Sequence, residues 1–390
     1  MSRSRKSSAV VCLAAAGGLV AALLPGQPGH AHAAQRSEVI AQGLNGPRGI
    51  TVLDDGTILV AESGTGGSGP CYIRQGKRSC FGNTGSIYRV RGHQKGRVLH
   101  GLPSVGDSAG REASGPVDVA VSGDGYLVLN GGGPGIRQRA ALGPAARRIG
   151  TLYQVGRDPH DRGRVIADML AHEERHDPDR VTRRAEPGES TVHANPWRFA
   201  PAGQGGWLVT DAGANDLIRV GEHGRTFTEA IFPPNAVPPT ESLVTTTSTA
   251  AEPSQRLAES VPTGIVQGRD GAYYVAEFGG LKPRTARVWR IVPGRRPQAV
   301  ASGLTALADI AVDRRGDLIV LSMTEDYRPD GTSAPGALHR IDLRTGTRTP
   351  IAADVRLTMP TGLAVGRRGE LYVSNNGVGN GAGQLLRIRP

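Results

Sequence analysis

Beyond residue 36 the chain runs in short stretches where apolar and polar positions alternate, separated by glycine-bearing turns. A period of two marks β-strands that turn one face to a core. One such stretch, "MPTGLAVGRRGELYVSNNG" at 359–377, recurs in register five more times. The other copies are "GPRGITVLDDGTILVAESG" at 46–64, "GPVDVAVSGDGYLVLNGGG" at 115–133, "NPWRFAPAGQGGWLVTDAG" at 195–213, "VPTGIVQGRDGAYYVAEFG" at 261–279 and "ALADIAVDRRGDLIVLSMT" at 306–324. Each has an alternating run, a glycine nine residues after the Pro position, and a second alternating run. That pattern predicts a β-hairpin with a two-residue turn at Asp55-Gly56, Asp124-Gly125, Gln204-Gly205, Asp270-Gly271, Arg315-Gly316 and Arg368-Gly369.

A third strand follows in every unit: "GSIYRV", "GTLYQV", "NDLIRV", "ARVWRI", "GALHRI" and "GQLLRI". The Pro positions fall at 47, 116, 196, 262, 307 (a leucine there) and 360, so they lie 69, 80, 66, 45 and 53 residues apart. The shortest spacing is that of a four-stranded propeller blade, and the longer ones are blades with insertions. Fourth strands, "RVLHG", "RVIAD", "TEAIF", "QAVAS" and "TPIAA", follow in five units, while the sixth has none. The unpaired "SEVIAQ" at 37–42 is therefore expected to complete the last blade and close the ring, which removes the open edges. The fold class that follows is all-β, one six-bladed propeller over residues 34–390.

Nearly all extra residues sit in second-to-third and blade-to-blade connections: 63–84, 131–148, 168–195, 233–260 and 323–335. Because strands alternate in direction, both kinds of connection emerge on one face, giving a plain floor and an elaborated mouth where binding residues belong. The Pro-, Ser- and Thr-rich segment 233–260 reads as a mobile flap over that mouth.

The N-terminus changes the compartment. Arg3, Arg5 and Lys6 precede an apolar run from Ala9 to Leu24, and Ala31-His32-Ala33 is an A-x-A site, so residues 1–33 read as a secretory signal peptide. The rival, an uncleaved anchor, needs about 20 apolar residues, and this run has 16. No membrane span is expected in the mature chain. Cleavage removes three basic residues and no acid, leaving 43 Lys+Arg against 35 Asp+Glu, a net of +8. The basic residues are almost all arginine and form no block along the sequence, which argues against nucleic acid as partner. Of the three cysteines, Cys12 leaves with the signal, and Cys71 and Cys80 are expected to pair in an oxidising compartment.

The run "GPC…C" before "NTGSIYRV", followed by "GPVDVAV", "NPWRFA", "DAGANDLIRV", "GAYYVAEFGG", "ARVWRIVPG" and "PTGLAVG…LYVSNNG…GQLLRI", resembles the secreted bacterial propellers of the ScyD/ScyE family. These belong with the NHL and gluconolactonase-like propellers. The resemblance spans the mature chain and implies a signal peptide and six blades. It brings no agreed catalytic residues, and Trp197 stands where relatives favour tyrosine.

Hairpin geometry places the start of each first strand beside the end of its second, near the channel. Around the ring these positions are Arg48 with Glu62, Asp118 with Asn130, Asn195 and Arg198 with Asp211, Thr263 with Glu277, Asp309 with Ser322, and Thr361 with Asn375. Five carboxylates, Glu62, Asp118, Asp211, Glu277 and Asp309, are candidate ligands for calcium, which takes oxygen donors. Alternatively these acids hold strand-end N–H groups and arginine partners. "HEERH" at His172–His176 matches a zinc-protease spelling, with Glu189 or His193 as third ligand. Its flanks instead read as a short solvated helix ended by Asp177-Pro178. A quinone-cofactor dehydrogenase would need a mouth histidine, for which only His193 and His100 stand near blade starts. Two functions remain open. One is a monomeric secreted binding or scaffold propeller, taking a small molecule, glycan or extracellular protein at the mouth. The other is a calcium-dependent hydrolase or lactonase there.

Overall fold

The computed structural model describes residues 36–390 apart from 75, 111, 158–162, 181–191, 204, 238–256 and 328–332. The expected signal peptide, Glu189 and most of the 233–260 segment lie outside the described residues. Six antiparallel sheets form the blades of a propeller, each with its first strand innermost. The first strands are Pro47–Val52, Pro116–Ser122, Pro196–Pro201, Pro262–Gln267, Leu307–Val312 and Gly362–Val365. The N-terminal strand Arg36–Leu44 pairs antiparallel with Gly383–Arg389, setting Ser37 opposite Ile388 and Val39 opposite Leu386. The sixth blade is thus closed by the beginning of the chain, as the missing fourth strand requires.

Both faces of each blade are covered, so second strands such as Ile58–Glu62 and Leu318–Ser322 are buried along their whole length. The core is divided accordingly into one apolar cluster per blade junction. Leu59, Ile87 and Leu99 meet Val119, Val128 and Tyr153 between blades 1 and 2. Leu208, Leu217 and Phe232 meet Tyr273, Val275 and Trp289 between blades 3 and 4. Val60 and Val90 meet Ile40, Leu44 and Leu385 where the ring closes. Each buried aliphatic side chain contributes about 1.5–3 kcal/mol, so the blades hold one another in place.

The inner hairpin turns differ from the two-residue expectation in five blades. In blade 1 the Leu53 N–H donates to Thr57 O at 2.8 Å and the Gly56 N–H to Leu53 O at 2.9 Å. This is a three-residue loop, Asp54-Asp55-Gly56, whose glycine sits at φ 81° after a type I turn. The same pair of bonds recurs at 202–206, 268–272, 313–317 and 366–370. Only blade 2 has a two-residue turn, and it is Gly123-Asp124, one place before the expected Asp124-Gly125, because Gly125 already pairs with Ser122 in the ladder. In the three-residue loops the glycine takes the left-handed position that follows a type I turn, so positive φ is asked of the glycine alone and not of the residue before it.

On the mouth side the insertions are ordered where described. Strands Lys77–Arg91 and Gln94–Gly106 of blade 1 extend past the blade, and Cys71–Arg74 pairs with the longer one. Cys71 and Cys80 lie directly opposite and are disulfide-bonded. Blade 2 carries helix α1 (Ile136–Ala141) and, after its outer strand, helix α2 (Met169–His176). Among the described residues no helix is long and apolar enough to cross a membrane.

Candidate functional site at the channel mouth

The residues two places after the Pro position are Gly49, Asp118, Arg198, Gly264, Asp309 and Gly362. They face the axis together, large beside small. A Cβ on Gly49 would lie 2.4 Å from Asp118 Oδ1, and one on Gly264 2.6 Å from Asp309 Oδ1. The glycines therefore make room for the carboxylates of the neighbouring blades. The residues one place after the Pro position form a second layer: Arg48, Val117, Trp197, Thr263, Ala308 and Thr361. The ring read from hairpin geometry mixed these two layers. The ladder is irregular just after the Pro position, with shifts between Pro116 and Asp118, Pro196 and Arg198, and Leu307 and Asp309, so counting by twos fails there.

Arg198 crosses the axis. Its Nε and Nη2 donate to Asp309 Oδ2 of blade 5 at 3.2 and 3.1 Å, and Nη2 also to Thr361 O of blade 6 at 2.6 Å. Its Nη1 donates to Val117 O of blade 2 and to Trp197 O, both at 2.9 Å. One guanidinium thus ties four blades. Asp309 also accepts from the Ile310 and Leu363 N–H groups, at 3.0 and 2.9 Å. Asp118 accepts from Val119 N–H at 3.0 Å and from Phe199 N–H, on the next blade, at 3.1 Å. Burial pushes the Asp118 carboxyl up to about 7, against the opposing pull of Arg198 and its two amide bonds. Burial likewise raises Asp309 even though Arg198 pulls it down.

Above this layer Trp197 is half-buried and its Nε1 donates to Ala308 O at 3.0 Å. The Arg48 and Arg198 guanidiniums lie 5.7 and 5.4 Å from its ring centroid. Arg48 donates to Gly377 O at 2.5 Å and Ala113 O at 3.3 Å, and its burial brings it down to about 10.

The strand-end residues do not join the axial group. Glu62 is engaged by Arg97 at 2.7 Å, Ser86 at 2.6 Å and the Asn45 N–H at 2.8 Å, all from its own blade or the chain entering it. Glu277 is held likewise by Arg287 at 2.5 Å, Trp289 at 2.6 Å and Ser260 at 2.7 Å, and burial raises it despite them. Asn130 donates to Pro103 O at 3.0 Å, and Asn375 accepts from Thr358 N–H at 2.7 Å. Thr263 and Thr361 hydroxyls bond carbonyls of the neighbouring blade, Leu307 O at 2.7 Å and Pro47 O at 2.6 Å. Ser322 is buried at its strand end. Asp211 Oδ1 accepts from the Asn195, Gly213 and Ala214 N–H groups at 2.6, 2.9 and 3.1 Å. Asn195 Oδ1 in turn accepts from Gly132 N–H at 3.3 Å. Only Asp118 and Asp309 of the five carboxylates meet on the axis, and the Arg198 guanidinium is already beside them. That donor set does not fit a divalent cation on the axis.

Helix α2 corrects the expectation of a solvated segment: His172 and Glu173 are each 1% exposed. Both His172 ring nitrogens are taken, by Thr226 and Thr228 hydroxyls of blade 3 at 3.0 Å, and burial lowers its pKa to about 4. An H-E-x-x-H zinc centre would need His172 as a ligand, and those two hydroxyls occupy it. His193 donates its N–H to Glu173 Oε1 at 3.2 Å. His100 stands opposite Ser86 on the outer strand of blade 1, away from the axis.

No family model and no curated protein matches the chain. Among solved structures it is similar to a glucose dehydrogenase, 14% identical at a TM-score of 0.51, over 91% of this chain and 99% of that one. An oxidoreductase from Thermus thermophilus, described as a glucose dehydrogenase, is 17% identical at a TM-score of 0.50, over 91% of this chain and 100% of that one. A virginiamycin B lyase from Staphylococcus aureus is a more distant likeness, 13% identical at a TM-score of 0.47, over 91% of this chain and 99% of that one. Identities this low establish the six-bladed fold and leave the chemistry to the site.

Proposed function

We propose that residues 34–390 are a secreted six-bladed propeller of the ScyD/ScyE type acting as a binding or scaffold protein, released by cleavage of the 1–33 signal peptide. Recognition falls to the loop-rich mouth, where Trp197 offers a half-buried indole flanked by Arg48 and Arg198. An aromatic face with cationic neighbours suits a glycan, a small planar molecule or a protein side chain. The observation that carries this reading is the saturation of the axis. Asp118 and Asp309 already accept amide or guanidinium hydrogens, so among the described residues the axis itself holds no open carboxylate constellation of the kind a metal-assisted lactonase uses.

The test uses protein recovered from culture medium, whose intact mass should begin at Ala34. A glycan and small-molecule screen read by tryptophan fluorescence is expected to give hits that Trp197→Ala removes without changing the melting temperature. The reading fails if the protein hydrolyses an aliphatic lactone in a calcium-dependent way that Asp118→Asn or Asp309→Asn abolishes.

A further inference from the structure

The end of the third blade breaks a pattern that blades 1 and 4 keep. Where blade 1 buries Glu62 it supplies Arg97, and where blade 4 buries Glu277 it supplies Arg287. Blade 3 buries Asp211 directly opposite Asp216 in its hairpin, one acid facing another. Like charges opposite each other in a ladder repel, and water cannot screen them here, since both residues are 0% exposed. Helix α2 adds Glu173, and the turn after it adds Asp177 and Asp179. One oxygen from each of those three lies within 4.8 Å of the others. Oxygens on opposite sides of an ion that binds at 2.3–2.6 Å are separated by about that much.

The oxygens left over point to a ligand. Both carboxylate oxygens of Asp216, Asp211 Oδ2 and Glu173 Oε2 are buried without a hydrogen-bond partner. Among the described residues no lysine or arginine pairs with any of these three acids. The nearest titratable base is His172, 3.8 Å from Asp216 Oδ2, and its nitrogens are committed to threonine hydroxyls. Buried acids so placed call for a compensating cation.

We propose that Glu173, Asp177, Asp179, Asp211 and Asp216 form a calcium-class cation site joining helix α2 to the third blade. The donors are all hard oxygens, and His172, the histidine beside Asp216, has both ring nitrogens occupied, which disfavours zinc. They come from a helix, a turn and a hairpin, a set whose irregular geometry suits calcium better than the octahedron magnesium demands. Asn215, in the hairpin turn, orients the set by donating to Asp179 Oδ2 at 2.7 Å. The site also reaches the mouth. The N–H groups of His193 and Asn195, just before Trp197, hang on Glu173 Oε1 and Asp211 Oδ1. The ion would therefore fix the segment that carries the mouth's indole.

The mature protein, stripped with chelator and dialysed, should bind about one calcium per chain by isothermal titration. Calcium at a hundred times the dissociation constant should raise the melting temperature by about 4 °C, and magnesium at the same concentration by less than half as much. Asp216→Asn and Glu173→Gln should each cut the calcium shift to a small fraction. Without calcium they should melt no lower than the wild type, because each removes a repelling charge; a merely structural role predicts the reverse. Asp118→Asn, on the axis, should keep the full shift. Should either cluster variant fail to fold, elemental analysis of the undialysed wild type decides, with one retained calcium expected. A wild type indifferent to calcium and chelator and free of retained metal would overturn the site. So would a full shift in both cluster variants, or its loss in Asp118→Asn alone.

Discussion

Arg198 offers the sharpest test of how the ring is held. Its side chain and that of Asp309 are each 5% exposed, and five hydrogen bonds leave its guanidinium for blades 2, 3, 5 and 6. Arg198→Met keeps the volume and removes every one. Breaking a buried ion pair from one side costs about 3–5 kcal/mol, because the partner charge is left behind. Three carbonyls, on Val117, Trp197 and Thr361, also lose a donor at about 1 kcal/mol each where water does not replace it. The sum, on the order of 4–8 kcal/mol, is comparable to the whole stability of an ordinary domain. Asp309→Asn retains the carbonyl bonds of Arg198 and should cost less, about 2–4 kcal/mol. The double variant leaves no unpaired buried charge, so its cost should fall short of the sum of the singles by at least about 2 kcal/mol. Urea unfolding of all four proteins at neutral pH measures this cycle. Single costs that add to within about 0.5 kcal/mol, or an Arg198→Met loss below about 1 kcal/mol, would show that the guanidinium is not what ties the blades.

Closure and titration give two further tests. Deleting residues 36–44 strips the outer strand from blade 6, and Ile40, Ala41 and Leu44 from the closing core, so soluble monomer should be lost. Unchanged elution and melting would refute closure by the N-terminal strand. Asp118, raised to about 7 from 3.8, binds its proton more tightly folded than unfolded. Its contribution to stability is then fully present below about pH 4 and is lost as pH rises through about 7, on the order of 4 kcal/mol. Melting temperature should accordingly fall from pH 5 to pH 8 more steeply in the wild type than in Asp118→Asn. Parallel pH profiles for the two proteins would contradict that assignment.

The repeat was readable because it is a packing constraint. Each unit must bury both faces between neighbours, so alternation, turn glycine and third-strand signature recur wherever a blade does. The lone "SEVIAQ" revealed the closure for the same reason, since a strand without a partner must find one. Exceptions to the repeat were harder to read. The shift after Pro196 puts Trp197 and Arg198 in different layers, and no residue type announces such an irregularity. Arginines scattered along the sequence, such as Arg314, Arg315, Arg340, Arg368, Arg387 and Arg389, come together around one groove on the floor. They gather because several occupy the same turn in successive units. "HEERH" looked solvated because its own flanks are polar, and the cover comes from Thr226 and Thr228 on a strand some 50 residues on.

The acidic end of blade 3 is such an exception, and the repeat itself exposes it. "DAGAND" lies in the sequence at the place where other units carry a neutral or basic partner for their strand-end acid. Once six units are aligned, Ser86 opposite Glu62 and Asp216 opposite Asp211 become the same position, filled in one blade by a neutral hydroxyl donor and in the other by a second acid. A fold that repeats six times supplies its own controls, so a buried acid pair in one blade cannot be ascribed to what the architecture needs. Blades 1 and 4 close the same corner with an arginine. Among the described residues blade 3 brings no arginine to that corner, which is why calcium binding is a stronger expectation there than on the axis, where Arg198 already supplies the charge.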